Sequence, residues 1–132
     1  MKKTVLLVED DPSLAAAIEA KLEKNDFDIL PAKTMDQALE YCRTRQNIDV
    51  LWLDHYLLGR GTGLDLLEKI KTIATYQHVP AFVVSNTASP DKRQSYLKLG
   101  ATQFYVKAEH RLEEIIADIK ASIGPAEQAS AA

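Results

Sequence analysis

Four short apolar runs alternate with amphipathic segments along the chain. They are VLLV (5–8), VLWL (50–53), AFVV (81–84) and FYV (104–106). Each run is continuous rather than alternating and most are rich in Val and Leu, which is typical of strands covered by helices on both faces. We therefore predict a buried parallel sheet, with a weaker additional strand at 28–30.

Helical spacing and helix-end signals mark five further segments. The first is predicted from about Pro12 to Asn25, and the second starts at a capping-box pattern formed by Thr34 and Gln37. The third follows the loop GRGTG, the fourth runs from Ser89-Pro90 to Gly100, and the fifth spans 110–122. The predicted core-facing side chains, helix by helix, are Leu14, Ala17, Ile18 and Leu22; Met35, Ala38, Leu39 and Cys42; Leu64, Leu67, Ile70 and Ile73; and Leu112, Ile115, Ile116 and Ile119.

The alternation of strands and helices predicts an α/β fold with a doubly wound, five-stranded parallel sheet and five helices. Right-handed crossovers leave a few possible strand orders. The flavodoxin-like order 2-1-3-4-5 places the first and third strands side by side. We expect a single domain over 1–123 and a flexible C-terminal tail over 124–132, because the tail AEQASAA has no large apolar side chain to bury.

Composition narrows the class of protein. The 132 residues are 46% hydrophobic and 27% charged, with a net charge of −3 and dispersed basic residues, which argues against direct nucleic-acid binding. No apolar stretch approaches the ~20 residues of a membrane span, and the N-terminal run is too short for a secretory signal. The single cysteine, Cys42, forms no intramolecular disulfide and fits a reducing compartment. We expect a cytoplasmic protein without a membrane segment.

Polar residues that can handle a phosphoryl group follow the apolar runs. Glu9 and Asp10 follow the first run, Asp54 the second, Ser85 the third and Lys107 the last. Carboxyl ends of parallel strands meet at one edge of a sheet, where ligands of this fold class bind. Three neighbouring carboxylates repel one another unless a cation intervenes, and an all-oxygen ligand set favours Mg²⁺.

Asp54 is the candidate phosphoacceptor, because a carboxylate at the end of the central run can attack a phosphoryl donor in line. Lys107 would neutralise phosphoryl oxygens and Ser85 would hydrogen-bond one of them. Each residue alone has an ordinary structural explanation as a turn, cap or solvated side chain. The combination at corresponding strand ends favours a shared site.

These motifs resemble the receiver domains of two-component response regulators, the CheY-like family. The segments VLLVEDDP, VLWLDHYLLGRGTGLDLL, AFVVSN and GATQFYVK carry the resemblance, which covers roughly residues 3–123. It implies that Asp54 accepts a phosphoryl group from a histidine kinase or phosphotransfer protein, with Mg²⁺ as cofactor. It also implies a signalling role rather than an enzyme, apart from self-phosphorylation and autodephosphorylation.

The resemblance also assigns roles to individual residues. The implied roles are metal binding by Glu9, Asp10, Asp54 and the Tyr56 carbonyl; catalysis by Lys107 and Ser85; switching by Ser85 and Phe104; and control of phosphate access by Tyr56 and Thr87. Phosphorylation would draw Ser85 toward Asp54, and Phe104 would turn inward. The surface formed by the fourth helix, fifth strand and fifth helix would then bind a downstream effector. The receiver, stand-alone or excised from a longer regulator, is expected to be a monomer or a phosphorylation-dependent homodimer.

Two positions depart from the family pattern. Leu58 replaces a proline after the acceptor aspartate, and the loop to Gly63 is one residue longer than the pattern. Ala108 replaces a cis-proline, and a cis bond to alanine would cost ~3 kcal/mol. We therefore predict a trans Lys107–Ala108 bond, an altered fifth loop and a less rigidly aimed Lys107.

The sequence is also compatible with two other kinds of function. A phosphorylation-independent pseudo-receiver would explain Leu58 and Ala108, and an aspartyl-phosphate hydrolase or flavin-binding protein would share the fold. The hydrolase requires a second aspartate two residues after its nucleophile, where this chain has Tyr56. Among neighbouring side chains, His55 is expected on the surface or in a loop, and Trp52 in the core. Tyr96, Lys98 and Tyr105 are expected on the docking face.

Overall fold

The computed structural model, which describes residues 2–86 and 89–124, contains five strands and five α-helices in alternation. The strands are β1 (Thr4–Val8), β2 (Asp28–Ala32), β3 (Ile48–Leu53), β4 (Ala81–Ser85) and β5 (Gln103–Val106). The helices are α1 (Pro12–Lys24), α2 (Met35–Thr44), α3 (Gly63–Ile70), α4 (Pro90–Lys98) and α5 (Leu112–Ile123). Residues 125–132, which make up the predicted tail except for Gly124, lie outside the described residues.

All strand pairs are parallel, in the order β2-β1-β3-β4-β5. This confirms the predicted flavodoxin-like sheet. The edge strand β2 continues beyond the predicted 28–30 to Ala32 and contains Pro31. A proline is compatible with an edge strand, because its missing N–H need not face a partner strand.

Alternate residues of the strands pack into two hydrophobic layers, one on each face of the sheet. Leu6, Leu51 and Val83 face α2, α3 and α4, whereas Leu7 and Trp52 face α1 and α5. Trp52 is buried as predicted, with 1% of its surface exposed. The continuous apolar runs are thus explained by burial on both faces.

Side-chain caps start the helices that follow the site-forming strands. The Asp11 carboxylate accepts hydrogen bonds from the backbone N–H groups of Ser13 and Leu14, at 3.0 and 3.2 Å. Ser89 caps α4 in the same way through Lys92 N at 3.1 Å. Gly100, with φ of 93°, terminates the segment after α4, where a left-handed conformation favours glycine.

Three local predictions were wrong or incomplete. Ala17 is exposed although it was predicted to face the core, while Leu66 is fully buried and was not predicted. Thr34 accepts a hydrogen bond from Gln37 N, but the Gln37 side chain accepts from Lys33 N rather than from Thr34. The rotation of each helix about its axis depends on packing, which helical spacing specifies only approximately.

None of the helices in the described part of the chain has the length and apolar character needed to span a bilayer.

Candidate functional site

The sheet register brings the ends of β1 and β3 together. Val8 pairs with Leu53, and the Asp54 backbone N–H donates to the Val8 carbonyl at 3.0 Å. Glu9 directly follows β1 and Asp54 directly follows β3, so two carboxylates from distant parts of the sequence lie beside each other. The two carboxylates form a pair because β1 and β3 are neighbours in the sheet. The alternation of strands and helices alone did not fix which strands are neighbours.

The carboxylates of Glu9, Asp10 and Asp54 form one cluster. Each offers an oxygen, and these three oxygens lie within 4.8 Å of one another. Glu9 is 2% and Asp54 4% exposed, whereas Asp10 is partly exposed. The predicted acidic cluster is therefore present, with two members buried and the third facing solvent.

Lys107 reaches this cluster from the end of β5. Its Nζ donates to Glu9 Oε1 at 3.0 Å and to Asp54 Oδ2 at 3.3 Å. The peptide bond to Ala108 is trans, as predicted, and residues Lys107–Glu109 form a 3₁₀ turn. The ammonium group is aimed at both carboxylates, so the expected loss of aim is not seen in this conformation.

Burial and charge shift the pKa values of this group of side chains. Burial raises the pKa of Glu9 to about 7, and the nearby Asp54 charge adds to this rise while Lys107 opposes it. Burial lowers the pKa of Lys107, but its hydrogen bonds and charge interactions with Glu9 and Asp54 outweigh burial and raise it. The partly buried Lys107 therefore compensates the negative charge only in part.

Two buried oxygens at the site have no hydrogen-bond partner among the described residues: Asp54 Oδ1 and Ser85 Oγ. Buried polar atoms are normally paired, and an unpaired one calls for a ligand or ion. Ser85 ends β4 next to β3, so its hydroxyl stands on the strand beside the one that carries Asp54. The oxygen-only donor set and these unpaired atoms fit a hard cation and an oxygen-rich ligand.

Tyr56 lies at the rim of the site. Its side chain is 52% exposed, and the Lys92 ammonium lies 4.9 Å from the centre of its ring. The nearby Leu58 is 51% exposed. Thr87, the other predicted access residue, lies outside the described residues.

Phe104 has a different starting position from the one predicted for a switch. It is 3% exposed and its ring centre lies 5.6 Å from that of Tyr96, while the Arg93 guanidinium lies 5.3 Å away. The predicted inward turn of Phe104 is therefore not available from this structure. The side chain is already buried because Tyr96 and Arg93 of α4 pack against it.

The predictions for two tyrosines were wrong. Tyr96 is fully buried and Tyr105 is 4% exposed, so neither ring contributes to an exposed docking face, whereas Lys98 is exposed. The Tyr105 hydroxyl donates to the Asp118 carboxylate at 2.6 Å. His55 lies in a bend after β3, which agrees with the predicted loop position, and it is partly buried.

Sequence reasoning missed the contact between His55 and Tyr96. The His55 Nδ1 and the Tyr96 hydroxyl oxygen are 2.7 Å apart, although 41 positions separate the two residues. Burial, reinforced by the Lys92 charge, lowers the pKa of His55, and burial raises that of Tyr96. Burial therefore favours the neutral form of both side chains. The pattern along the chain held no signal that pairs them.

Comparison with known proteins agrees with this geometry. Residues 5–120 match the model of the response regulator receiver domain. The chain belongs to this receiver family. The match covers the sheet, the acidic cluster and Lys107.

Curated relatives of this receiver domain include the heme response regulator HssR of Staphylococcus saprophyticus, 27% identical over 118 residues. The alignment covers 89% of this chain and 50% of the relative. The response regulator ORR3 of Oryza sativa is 27% identical over 78% of each chain. The chain spans about half the length of the first curated relatives it matches.

Solved structures share the fold. The receiver domain of HemR from Leptospira biflexa has a TM-score of 0.82 and 29% identity, over 97% of this chain and 99% of that one. The receiver domain of the sensor histidine kinase PA1611 from Pseudomonas aeruginosa, solved with a coordinated magnesium ion, has a TM-score of 0.81 and 22% identity. That comparison covers 94% of this chain and 99% of the other.

This chain is thus a receiver domain of two-component signalling. Receiver domains are phosphoacceptors that work with histidine kinases and effector domains, and they bind Mg²⁺ in an acidic site. The clustered carboxylates are the part of this chain that corresponds to such a site.

Proposed function

We propose that this receiver accepts a phosphoryl group on Asp54 from a histidine kinase or phosphotransfer protein. The observation that carries the proposal is the unpaired Asp54 Oδ1, which is buried beside a carboxylate cluster while Lys107 occupies the other oxygen. A buried carboxylate oxygen without a partner is available to form a bond. The acceptor atom is accordingly Oδ1.

Phosphoryl transfer uses this oxygen as the nucleophile. Asp54 Oδ1 forms a bond to phosphorus as the phosphorus–nitrogen bond of a phosphohistidine breaks, and the electron pair leaves with the imidazole of the donor. An acyl phosphate results on Asp54. Catalysis consists of positioning and charge neutralisation, since the protein has little covalent chemistry to perform.

Two groups of the chain, Lys107 and Ser85, neutralise and orient the transferred phosphoryl group. Lys107 lies within hydrogen-bond distance of Asp54 and supplies positive charge. Ser85 has a buried hydroxyl with no other partner among the described residues, so it donates to a phosphoryl oxygen.

Tyr56 lies at the rim of the site and restricts the access of water to the phosphoryl group, which slows the loss of phosphate. The variant Tyr56→Ala should therefore lose phosphate faster than the native chain in a single-turnover decay assay.

Metal binding belongs to the same proposal. Glu9, Asp10 and Asp54 would hold Mg²⁺ together with the Tyr56 carbonyl, since their carboxylates already lie close together. The bound ion supplies positive charge that neutralises the phosphoryl oxygens.

The output of the receiver is proposed to be a changed surface formed by α4, β5 and α5. A phosphoryl group adds roughly −1.5 to −2 charge at Asp54. Ser85 and Phe104 remain the proposed switch pair, with Phe104 moving together with α4 because it packs against Tyr96. A downstream effector binds the altered face, and the receiver acts in the cytoplasm as a monomer or as a phosphorylation-dependent dimer.

The test is incubation with Mg²⁺ and acetyl phosphate, followed by intact mass measurement. One phosphoryl adduct is expected for the native chain and none for Asp54→Asn. Asp65→Asn is the matched control, because Asp65 is an exposed aspartate of α3 and should leave the adduct unchanged.

Each alternative function predicts a different result. A folded protein that acquires no adduct would be a pseudo-receiver whose role is docking. Continuous release of phosphate from unrelated phosphate esters would indicate a hydrolase.

A further inference from the structure

A hydrogen bond connects the residue after the acceptor aspartate to the last turn of α4. His55 Nδ1 and the Tyr96 hydroxyl oxygen are separated by 2.7 Å. His55 follows Asp54 directly, so a displacement of the backbone at Asp54 also displaces His55. A strong contact at this position therefore links the site to a helix at the output surface.

The Tyr96 end of this contact is held firmly by packing. Tyr96 is fully buried, and its ring lies 5.7 Å from His55 and 5.6 Å from Phe104, measured between ring centres. A buried aromatic ring that fills a close-packed site cannot shift without moving its own helix. Movement of His55 is therefore transmitted to α4 and to Phe104.

Gly63 makes room for this contact. A Cβ atom at Gly63 would lie 2.2 Å from the Asp54 carbonyl oxygen and 2.8 Å from the Tyr96 hydroxyl. The Gly63 N–H also donates to the His55 carbonyl at 2.8 Å. The end of β3, the start of α3 and the last turn of α4 consequently meet at one point.

The usual alternative link, an inward turn of an exposed aromatic side chain, is not available from this structure. Phe104 is already buried, and Ser85 Oγ contacts no hydrogen-bonding group among the described residues. The contact between His55 and Tyr96 is therefore a second, direct path from Asp54 to α4, beside the proposed switch pair Ser85 and Phe104.

We propose that His55 is a positioning residue whose hydrogen bond to Tyr96 couples the state of Asp54 to the conformation of α4. The part of the test that uses phosphorylation rests on the proposed function, whereas the coupling between Asp54 and α4 can be measured without phosphate. The coupling is measured as the change in amide hydrogen exchange of α4 that a perturbation at Asp54 causes.

The test compares amide hydrogen exchange in Pro90–Lys98 before and after a perturbation at Asp54. The first perturbation is Asp54→Asn, which removes the charge and needs no phosphate; the second is treatment with Mg²⁺ and acetyl phosphate. Tyr96→Phe removes the hydroxyl and keeps the ring. Tyr105→Phe is the matched control, because it removes another buried tyrosine hydroxyl on the opposite face of the sheet.

We expect Asp54→Asn to change exchange in α4 in the native background and in the Tyr105→Phe background. In Tyr96→Phe this change should be reduced by about half or more. His55→Phe breaks the same contact from the other side and should have the same effect, which covers the case in which Tyr96→Phe fails to fold.

A full α4 response in folded Tyr96→Phe or His55→Phe would overturn the proposal, and so would the absence of any response in the native background. Mass measurement keeps this result separate from the proposed function. If the native chain acquires no phosphate but the Asp54→Asn response still depends on Tyr96, the coupling stands and the phosphoacceptor assignment fails.

Discussion

Lys107 shows how a single residue balances the charge of the site. It contacts Glu9 and Asp54 at 3.0 and 3.3 Å, with 17% of its own side chain exposed. Removing one partner from a buried ion pair leaves uncompensated charge, which costs more than the pair contributes. The function of Lys107 is therefore linked to the stability of the fold.

We expect Lys107→Met to lower the free energy of unfolding by about 3 kcal/mol at neutral pH, because the buried Asp54 and the partly ionised Glu9 lose the cation that pairs with them. Urea denaturation without Mg²⁺ measures the change. Lys98→Met, at an exposed position of α4, is the control and should change stability by less than about 0.5 kcal/mol. Equal effects of the two substitutions would contradict this account of Lys107.

Cys42 provides a test of burial on the face of the sheet covered by α2. Burial raises the pKa of its thiol from 9.0 to about 11, and 3% of the residue is exposed. The thiolate is the reactive form, so at pH 8 its fraction should be about 100-fold lower than in the unfolded chain. The folded state resists thiol ionisation, and stability therefore falls as the pH rises above about 9.

The measurement is the rate of reaction with a chromogenic disulfide reagent at pH 8, in buffer and in urea. We expect at least about a 100-fold slower reaction for the folded chain. Rates of similar size would show that Cys42 is accessible or that α2 opens readily.

At the scale of elements, helix α1 begins where the acidic cluster ends. Asp11 caps this helix, and its N–H donates to Glu9 Oε2 at 3.1 Å. The same turn therefore starts a helix and orients a carboxylate of the acidic cluster. The cap of α1 and the position of the Glu9 carboxylate are therefore linked, because Asp11 takes part in both.

We expect Asp11→Ala to destabilise the protein by about 1 kcal/mol, because two N–H groups at the start of α1 lose their acceptor. Asp11→Asn keeps an acceptor oxygen and should retain most of the stability. Thermal denaturation of the three proteins measures the difference. A loss of stability in Asp11→Asn as large as in Asp11→Ala would show that charge, rather than capping, is the important property.

At the scale of the whole molecule, the acidic cluster opposes folding and prepares the site for a cation. Glu9 and Asp54 are buried close together, and the raised pKa of Glu9 reflects that cost. A ligand that binds only the folded state stabilises it in proportion to the logarithm of its concentration. Metal binding and global stability should therefore change together.

Mg²⁺ at ten times its dissociation constant should stabilise the fold by about 1.4 kcal/mol, and chelation with EDTA should reverse the effect. Thermal denaturation with increasing Mg²⁺ gives the measurement, and fluorescence of the buried Trp52 reports binding independently. Asp10→Asn should weaken both responses. An unchanged melting temperature across the titration would argue against a magnesium site.

The amino-acid pattern alone was sufficient to predict the class of fold and to propose a set of candidate side chains. Continuous apolar runs such as VLWL predicted strands buried on both faces, and Glu9, Asp54, Ser85 and Lys107 are the residues that follow those runs. The fold prediction was correct because strand period is a local property of the chain. The family resemblance supported both predictions through motifs of the same short range.

The contacts between these side chains depend on tertiary packing. Residues far apart in the sequence meet in the contact of His55 with Tyr96 and in the two contacts of Lys107. Phe104 is buried by packing against α4. Such contacts depend on helix rotation and on the packing of loops against helices, which no local pattern encodes. The pattern along the chain therefore predicted the members of the site, and packing determined how the site connects to α4.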